Sequence, residues 1–206
     1  MTPARWLGIA LLTACAGCDR GVPTVPTADA STGYGAVAFK DDAPANATPA
    51  ADFPRSFVDA DGTPVDLGRF HGRAVVLVVL RGMARSENGG FCPSCLAQAS
   101  TLLANREEFA RRQAEVLVLF PGPADRVGEF VQTARLRTPG EPPAAFRLLL
   151  DRDLRACDRL GIRADLAKPS TYVLDGQGRV VYAYVGETST DRPSVKAVLA
   201  QLDAVR

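Results

Sequence analysis

Two cysteines three positions apart, in Phe91-Cys92-Pro93-Ser94-Cys95, form the pattern in this 206-residue chain with the most evident chemistry. A bare C-x-x-C pair serves equally as a zinc knuckle, a structural disulfide or a redox couple. Set between a buried strand and a helix, it reads as redox-active. A helix start leaves backbone N–H groups without intrahelical partners. Together with the helix dipole they stabilise a thiolate at Cys92. A pKa fall from about 8.5 to about 6.5 would lift the thiolate fraction at pH 7 from roughly 3% to roughly 75%. Cys95, one turn further in, lies within reach of a mixed disulfide or sulfenate on Cys92. Pro93 has no amide hydrogen to leave unpaired in the first turn.

The remaining reactive side chains are few. Cys157, in Leu154-Arg155-Ala156-Cys157, is either a second resolving thiol or a small buried residue, the commoner fate of a lone cysteine among apolar neighbours. His71, the single histidine, sits in a turn before a strand and suits a surface role. No second C-x-x-C and no H-x3–5-H accompanies these residues, so neither a metal nor another cofactor is expected. Asp191-Arg192-Pro193-Ser194 reads as the cap of a final helix. The charges of 106–112 read as a solvated helix face.

These groups are positioned by an alternating series of elements. Phe57–Gly62 and Val65–Leu67 predict a small hairpin. Val75–Leu80 is a β-branched run suited to a strand buried on both faces. Leu96–Arg112 predicts one helix, with Leu102, Leu103 and Phe109 inward. Glu115–Phe120 is a second buried strand, and Pro123-Ala124-Asp125 opens another helix. A short strand at Phe146–Leu150 and a short helix at Leu154–Leu160 follow. Thr171–Leu174 and Val180–Val185 flank Asp175-Gly176-Gln177-Gly178 as a hairpin. The last helix starts near Pro193. Alternation of this kind predicts an α/β sandwich of three layers, α/β/α, with a mostly parallel centre and an antiparallel margin.

The N-terminus has a different character. Arg5 precedes a short apolar run, Trp6–Ala14, and Leu12-Thr13-Ala14-Cys15 resembles the lipobox of bacterial lipoproteins, with Cys15 as the lipidated residue. Cys18, after Ala16-Gly17, is a weaker candidate. Residues 1–15 are thus expected as a lipoprotein signal peptide. Residues 16–52, rich in Ala, Pro, Thr, Gly and Asp, are expected as a flexible tether spanning on the order of 30–35 Å. Residues 53–206 are expected as one domain. Two acyl chains anchor stably, which places the expected domain at a membrane surface in the cell envelope, periplasmic or otherwise extracytoplasmic. After the N-terminus no apolar run approaches the roughly 20 residues of a spanning helix. The formal net charge of +1 offers no basic face for nucleic acid.

From about Phe53 to Arg206 the chain resembles the redoxin branch of the thioredoxin superfamily, which includes peroxiredoxins of the alkyl hydroperoxide reductase/thiol-specific antioxidant type and membrane-anchored thioredoxin-like disulfide reductases. The segments that carry the resemblance are 61–67, Val75 to Arg81-Gly82, Cys92-Pro93-Ser94-Cys95, Lys168-Pro169-Ser170-Thr171-Tyr172-Val173-Leu174-Asp175 and the turn that follows. Arg81-Gly82 ahead of Cys-Pro-x-Cys is most similar to peroxiredoxin-like proteins carrying Arg-Gly-x-x-Cys-Pro-x-Cys, although the loop 83–91 is longer here. The resemblance implies a thioredoxin-like fold with an N-terminal β-hairpin and an inserted β-α unit. It implies that Pro169 is cis and faces the cysteines, and that Cys92 and Cys95 cycle between dithiol and disulfide. Where peroxiredoxins carry Thr or Ser and Pro before the reactive cysteine, this chain has Gly89 and Arg85. Lys168 stands where their peroxide-polarising arginine is sought, which leaves Arg81, at the end of the first central strand, as the candidate substitute.

The expected function is a membrane-anchored thiol oxidoreductase that reduces peroxides or protein disulfides and is reset by a dithiol partner protein. A disulfide reductase without peroxidase activity is the alternative within that class. A non-catalytic lipoprotein binding module stapled by Cys92–Cys95 is the alternative outside it.

Overall fold

The computed structural model describes residues 37–82, 90–134, 136 and 146–205. Cys15, Cys18 and the stretches expected as a signal peptide and as the first part of a tether lie outside the described residues, as do Arg85 and Gly89. One seven-stranded sheet organises the chain in the order β2-β1-β5-β4-β3-β6-β7. Its strands are β1 (Ser56–Asp59), β2 (Pro64–Asp66), β3 (Ala74–Val79), β4 (Ala114–Pro121), β5 (Phe146–Asp151), β6 (Ser170–Leu174) and β7 (Val180–Val185). The central strands β3, β4 and β5 run parallel. β1–β2 joins antiparallel on one side of them and β6–β7 on the other.

The side-chain period of two divides each central strand between two cores. Val76, Val78 and Leu80 on β3 and just beyond it, with Val116, Val118 and Phe120 on β4, face one layer. That layer is built from α1 (Pro93–Ala104), α2 (Arg106–Arg111), α3 (Val127–Thr133) and α5 (Val195–Ala204). Val75, Leu77, Val79, Leu117 and Leu119 face the other layer, which contains Phe53, Phe57, a 3-10 turn at Leu67–Phe70 and the short helix α4 (Arg155–Arg159). The architecture is therefore the α/β thioredoxin-like sandwich expected. None of the described helices is long and apolar enough to cross a membrane.

Three local expectations are corrected. The single helix Leu96–Arg112 is two, because buried Asn105 interrupts it and turns its side-chain amide back onto the Thr101 carbonyl at 2.8 Å. Such local side-chain bonding competes with the helical ladder. No peptide bond among the described residues is cis, so Pro169 is trans. Its carbonyl accepts from the Gly186 N–H at 2.8 Å as it leads into β6, and trans is the intrinsically favoured isomer.

The third correction concerns residues 37–52, expected as the end of a free tether, which lie against the domain. Ala43 is buried, and its carbonyl accepts from Tyr182 Oη at 2.8 Å. The side chain of Asn46 pairs with both the N–H and the carbonyl of Val185, at 2.8 and 3.0 Å, as a peptide group would. The described residues 37–52 are therefore packed on the domain rather than free of it.

Candidate active site

The site lies where β3 ends and α1 begins. The loop leaving β3 passes close to β4: a Cβ on Gly82, whose φ is +92°, would stand 2.6 Å from the Pro121 carbonyl oxygen, so only glycine fits there. Cys92 is the N-cap of α1 and Pro93 its first residue, as the sequence suggested. The Cys92 carbonyl accepts from the N–H of Cys95 at 2.9 Å and from that of Leu96 at 3.2 Å. Phe91 anchors the preceding residue. Its ring packs edge-on against Phe120 and Phe130, at centroid distances of 6.3 and 5.3 Å, and the Arg126 guanidinium lies 5.2 Å above it. This cluster fixes the approach of the chain to the helix start.

Cys92 and Cys95 are free thiols, 3% and 0% exposed. Their titration is divided between them. The Cys95 thiol hydrogen bonds to the Cys92 sulfur and is the main cause that holds Cys92 down at about 5. Burial opposes this, and the backbone N–H groups of Cys95 and Ser94 and the charge of Arg192 assist it. Burial pushes the Cys95 thiol well above its ordinary value, and the Cys92 thiolate adds to that. The pair thus gives up one proton readily and retains the second. That is the charge state in which one sulfur attacks and the other waits as a protonated thiol.

Arg192 completes the site, and the sequence reading missed it. It was assigned to a cap, and Ser194, two residues on, does cap α5 by accepting from the Ala197 N–H at 3.2 Å. Arg192 itself turns inward and is 1% exposed. Its Nη2 donates to Cys95 Sγ at 3.2 Å, its Nη1 to Gln98 Oε1, and its Nε to the Ser189 carbonyl at 2.8 Å. No carboxylate is among these partners. A buried guanidinium with only neutral acceptors is costly, and the thiolate of the cysteine pair supplies its counter-charge. The available signal was indirect: Gln98 follows Cys95 by three positions, on the same helical face.

The other expected residues are distributed as follows. Pro169 is buried at the start of β6, bonded through Gly186 to the turn 186–191 that delivers Arg192. Arg81 is partly exposed, and among the described residues it makes no hydrogen bond or ion pair with either cysteine. Cys157 is fully buried on α4, in the core on the opposite face of the sheet from Cys92 and Cys95. The sheet therefore separates it from them, and the geometry does not bring it to the site as a resolving thiol.

The comparisons agree with the fold that carries this site. The solved structure of peroxiredoxin Q from Xanthomonas campestris superimposes with a TM-score of 0.57, at 20% identity over 80% of this chain and 98% of that one. Peroxidoxin BcpB from Mycobacterium tuberculosis gives 0.56, at 23% identity over 79% and 99%. Peroxiredoxin 6 of Arenicola marina gives 0.63, at 12% identity over 77% and 73%. At such identities the likeness is one of fold. No curated protein is a significant sequence match. Residues 42–183, which run from before β1 into β7 and include both cysteines of the pair, match the AhpC/TSA family, and the chain belongs to that family of thiol-dependent oxidoreductases.

Proposed function

We propose that the chain is a lipid-anchored, extracytoplasmic thiol peroxidase that uses Cys92 as nucleophile, Cys95 as resolving thiol and Arg192 as the fixed positive charge of the site. The observation that carries this reading is the buried Arg192 guanidinium, bonded to Cys95 and without a carboxylate partner among the described residues, beside a thiolate seated at a helix start. The Cys92 thiolate attacks the terminal oxygen of a hydroperoxide. The O–O bond breaks, Cys92 becomes a sulfenic acid, and the leaving alkoxide takes a proton from water. The guanidinium stabilises charge on the departing oxygen. The Cys95 thiol then attacks the Cys92 sulfur, releasing water and forming the Cys92–Cys95 disulfide. An external dithiol protein reduces that disulfide. Pro169 shapes the floor beside the Arg192 turn.

A small peroxide suits a nucleophile that is only 3% exposed better than a folded protein disulfide does. Peroxide consumption by the full chain with a dithiol reductant is expected, and Cys92→Ser should abolish it. Insulin reduction without peroxide turnover would transfer the assignment to a disulfide reductase. An unreactive Cys92 with a very low reduction potential would indicate a static staple. The anchor at Cys15 predicts that Cys15→Ser moves the protein from the membrane to the soluble fraction.

A further inference from the structure

Among the described residues no carboxylate holds Arg192 at its side-chain end, so its place depends also on the backbone that carries it. That backbone is tightly constrained. Pro193 restricts Arg192 to extended geometry. A Cβ on Gly186 would stand 2.0 Å from the Asp191 carbonyl oxygen, so the turn 186–191 is closed on itself. The Asp191 side chain is its hub: one oxygen accepts from Tyr184 Oη at 2.6 Å, the other from the Glu187 N–H at 3.0 Å.

One residue outside this turn holds it from the far side. The Lys40 N–H donates to the Arg192 carbonyl at 2.8 Å, and the Lys40 carbonyl accepts from the Ser194 N–H at 2.8 Å. Lys40 Nζ lies 2.7 Å from Asp191 Oδ1 and donates to Tyr184 Oη at 2.9 Å. The neighbours of Lys40 extend the grip. Asp41 accepts from Ser194 Oγ at 2.7 Å and from Lys196 Nζ at 3.2 Å, and Phe39 lines a small cavity with Gln98, the other side-chain partner of Arg192, and Pro193. Burial opposes the Asp191 charge, but the bonds from Lys40 and Tyr184 hold its carboxyl down at about 2.

We propose that Lys40 is a positioning residue: through its ion pair with Asp191 and its backbone clasp on Arg192 and Ser194, it sets the Arg192 guanidinium against the cysteine pair. This rests on the reading of Cys92 and Arg192 given above. The segment around Lys40 is then a working part of the site and not only a spacer.

The test follows iodoacetamide alkylation of Cys92 against pH in the reduced full chain, read on the Cys92 peptide by mass spectrometry. Lys40→Met should raise the midpoint by about one pH unit, a roughly tenfold loss of thiolate below it. Lys40→Arg should restore it. Adding Asp191→Asn to Lys40→Met removes the uncompensated carboxylate, and the midpoint should stay raised because the clasp is still loosened. Asn46→Ala, which frees the same segment at β7 instead, should leave the midpoint unchanged. An unchanged midpoint in Lys40→Met overturns the proposal. So does return to the wild-type value in the double variant, which would reduce the role of Lys40 to charge neutralisation, or an equal shift in Asn46→Ala. A wild-type midpoint in the ordinary thiol range overturns it as well. Peroxide consumption by the same samples tests the functional reading separately.

Discussion

Two buried thiols, one on each face of the sheet, have opposite electrostatic settings. Cys92 and Cys157 both lie near the first turn of a helix, and both are shielded from water. At Cys92 the N–H groups of Ser94 and Cys95 at the helix start favour the charged sulfur, a protonated thiol donates to it, and a guanidinium lies nearby. At Cys157 a carboxylate has taken the N–H groups: the two oxygens of buried Asp151 accept from Ala156 and Cys157 at 3.1 and 2.9 Å. Burial, followed by the Asp151 carboxylate, pushes the Cys157 thiol up. The contrast separates burial from reactivity. What decides the state of a buried sulfur is which group the helix start serves and the sign of the charge beside it.

The comparison is broken or sharpened by variants on each face. The largest effect is expected from Arg192→Met, which leaves Cys92 buried without its cation. Peroxide turnover at pH 7 should fall by about 10²–10³-fold, with Arg192→Lys in between; a loss below threefold would remove the cation from the explanation. The pH response comes next. With its pKa lowered from 9.0 to about 5, Cys92 should alkylate half-maximally near pH 5, while native Cys157 stays unreactive through neutral pH. The sign for stability follows from the same lowering. The thiolate's contribution is full above pH 9.0 and is lost as pH falls through about 5, so melting of the reduced protein should lose that increment in Cys92→Ser.

Smaller effects belong to the other face. Asp151→Ala strands two buried N–H groups and should cost about 2 kcal/mol, about 4–8 °C in Tm, with turnover intact. Cys157→Ala should cost about 1 kcal/mol and leave turnover within twofold of wild type.

Much of the scaffold was legible because its signals are local. The β-branched run of β3, the Asp-Gly-Gln-Gly turn and the Cys-Pro start of α1 each declare themselves within a few residues. Arg192 did not, since its partners Cys95 and Gln98 lie 97 and 94 positions away and its local context is a true cap. The segment 37–52 was hidden for another reason. Its composition resembles that of an unstructured linker, and it binds through backbone groups and a few polar side chains, Lys40, Asp41, Asn46 and Asp52, rather than through an apolar stripe. Asn105 and Pro169 show the limit of pattern reading. An asparagine with a backbone partner one turn away and a family-placed proline each took the locally cheaper geometry.

The pairing of Asn46 with Val185 has a consequence for how copies of the protein meet. An outermost strand offers its unpaired N–H and carbonyl groups to any passing chain, which is how sheets fuse and proteins aggregate. Here Asn46 and Ala47 occupy the bonding groups of Ala183 and Val185, the outward positions at the end of β7. A shortened protein starting at Phe53 would uncover that margin, with Val181 already exposed beside it, and should self-associate more readily than the intact chain.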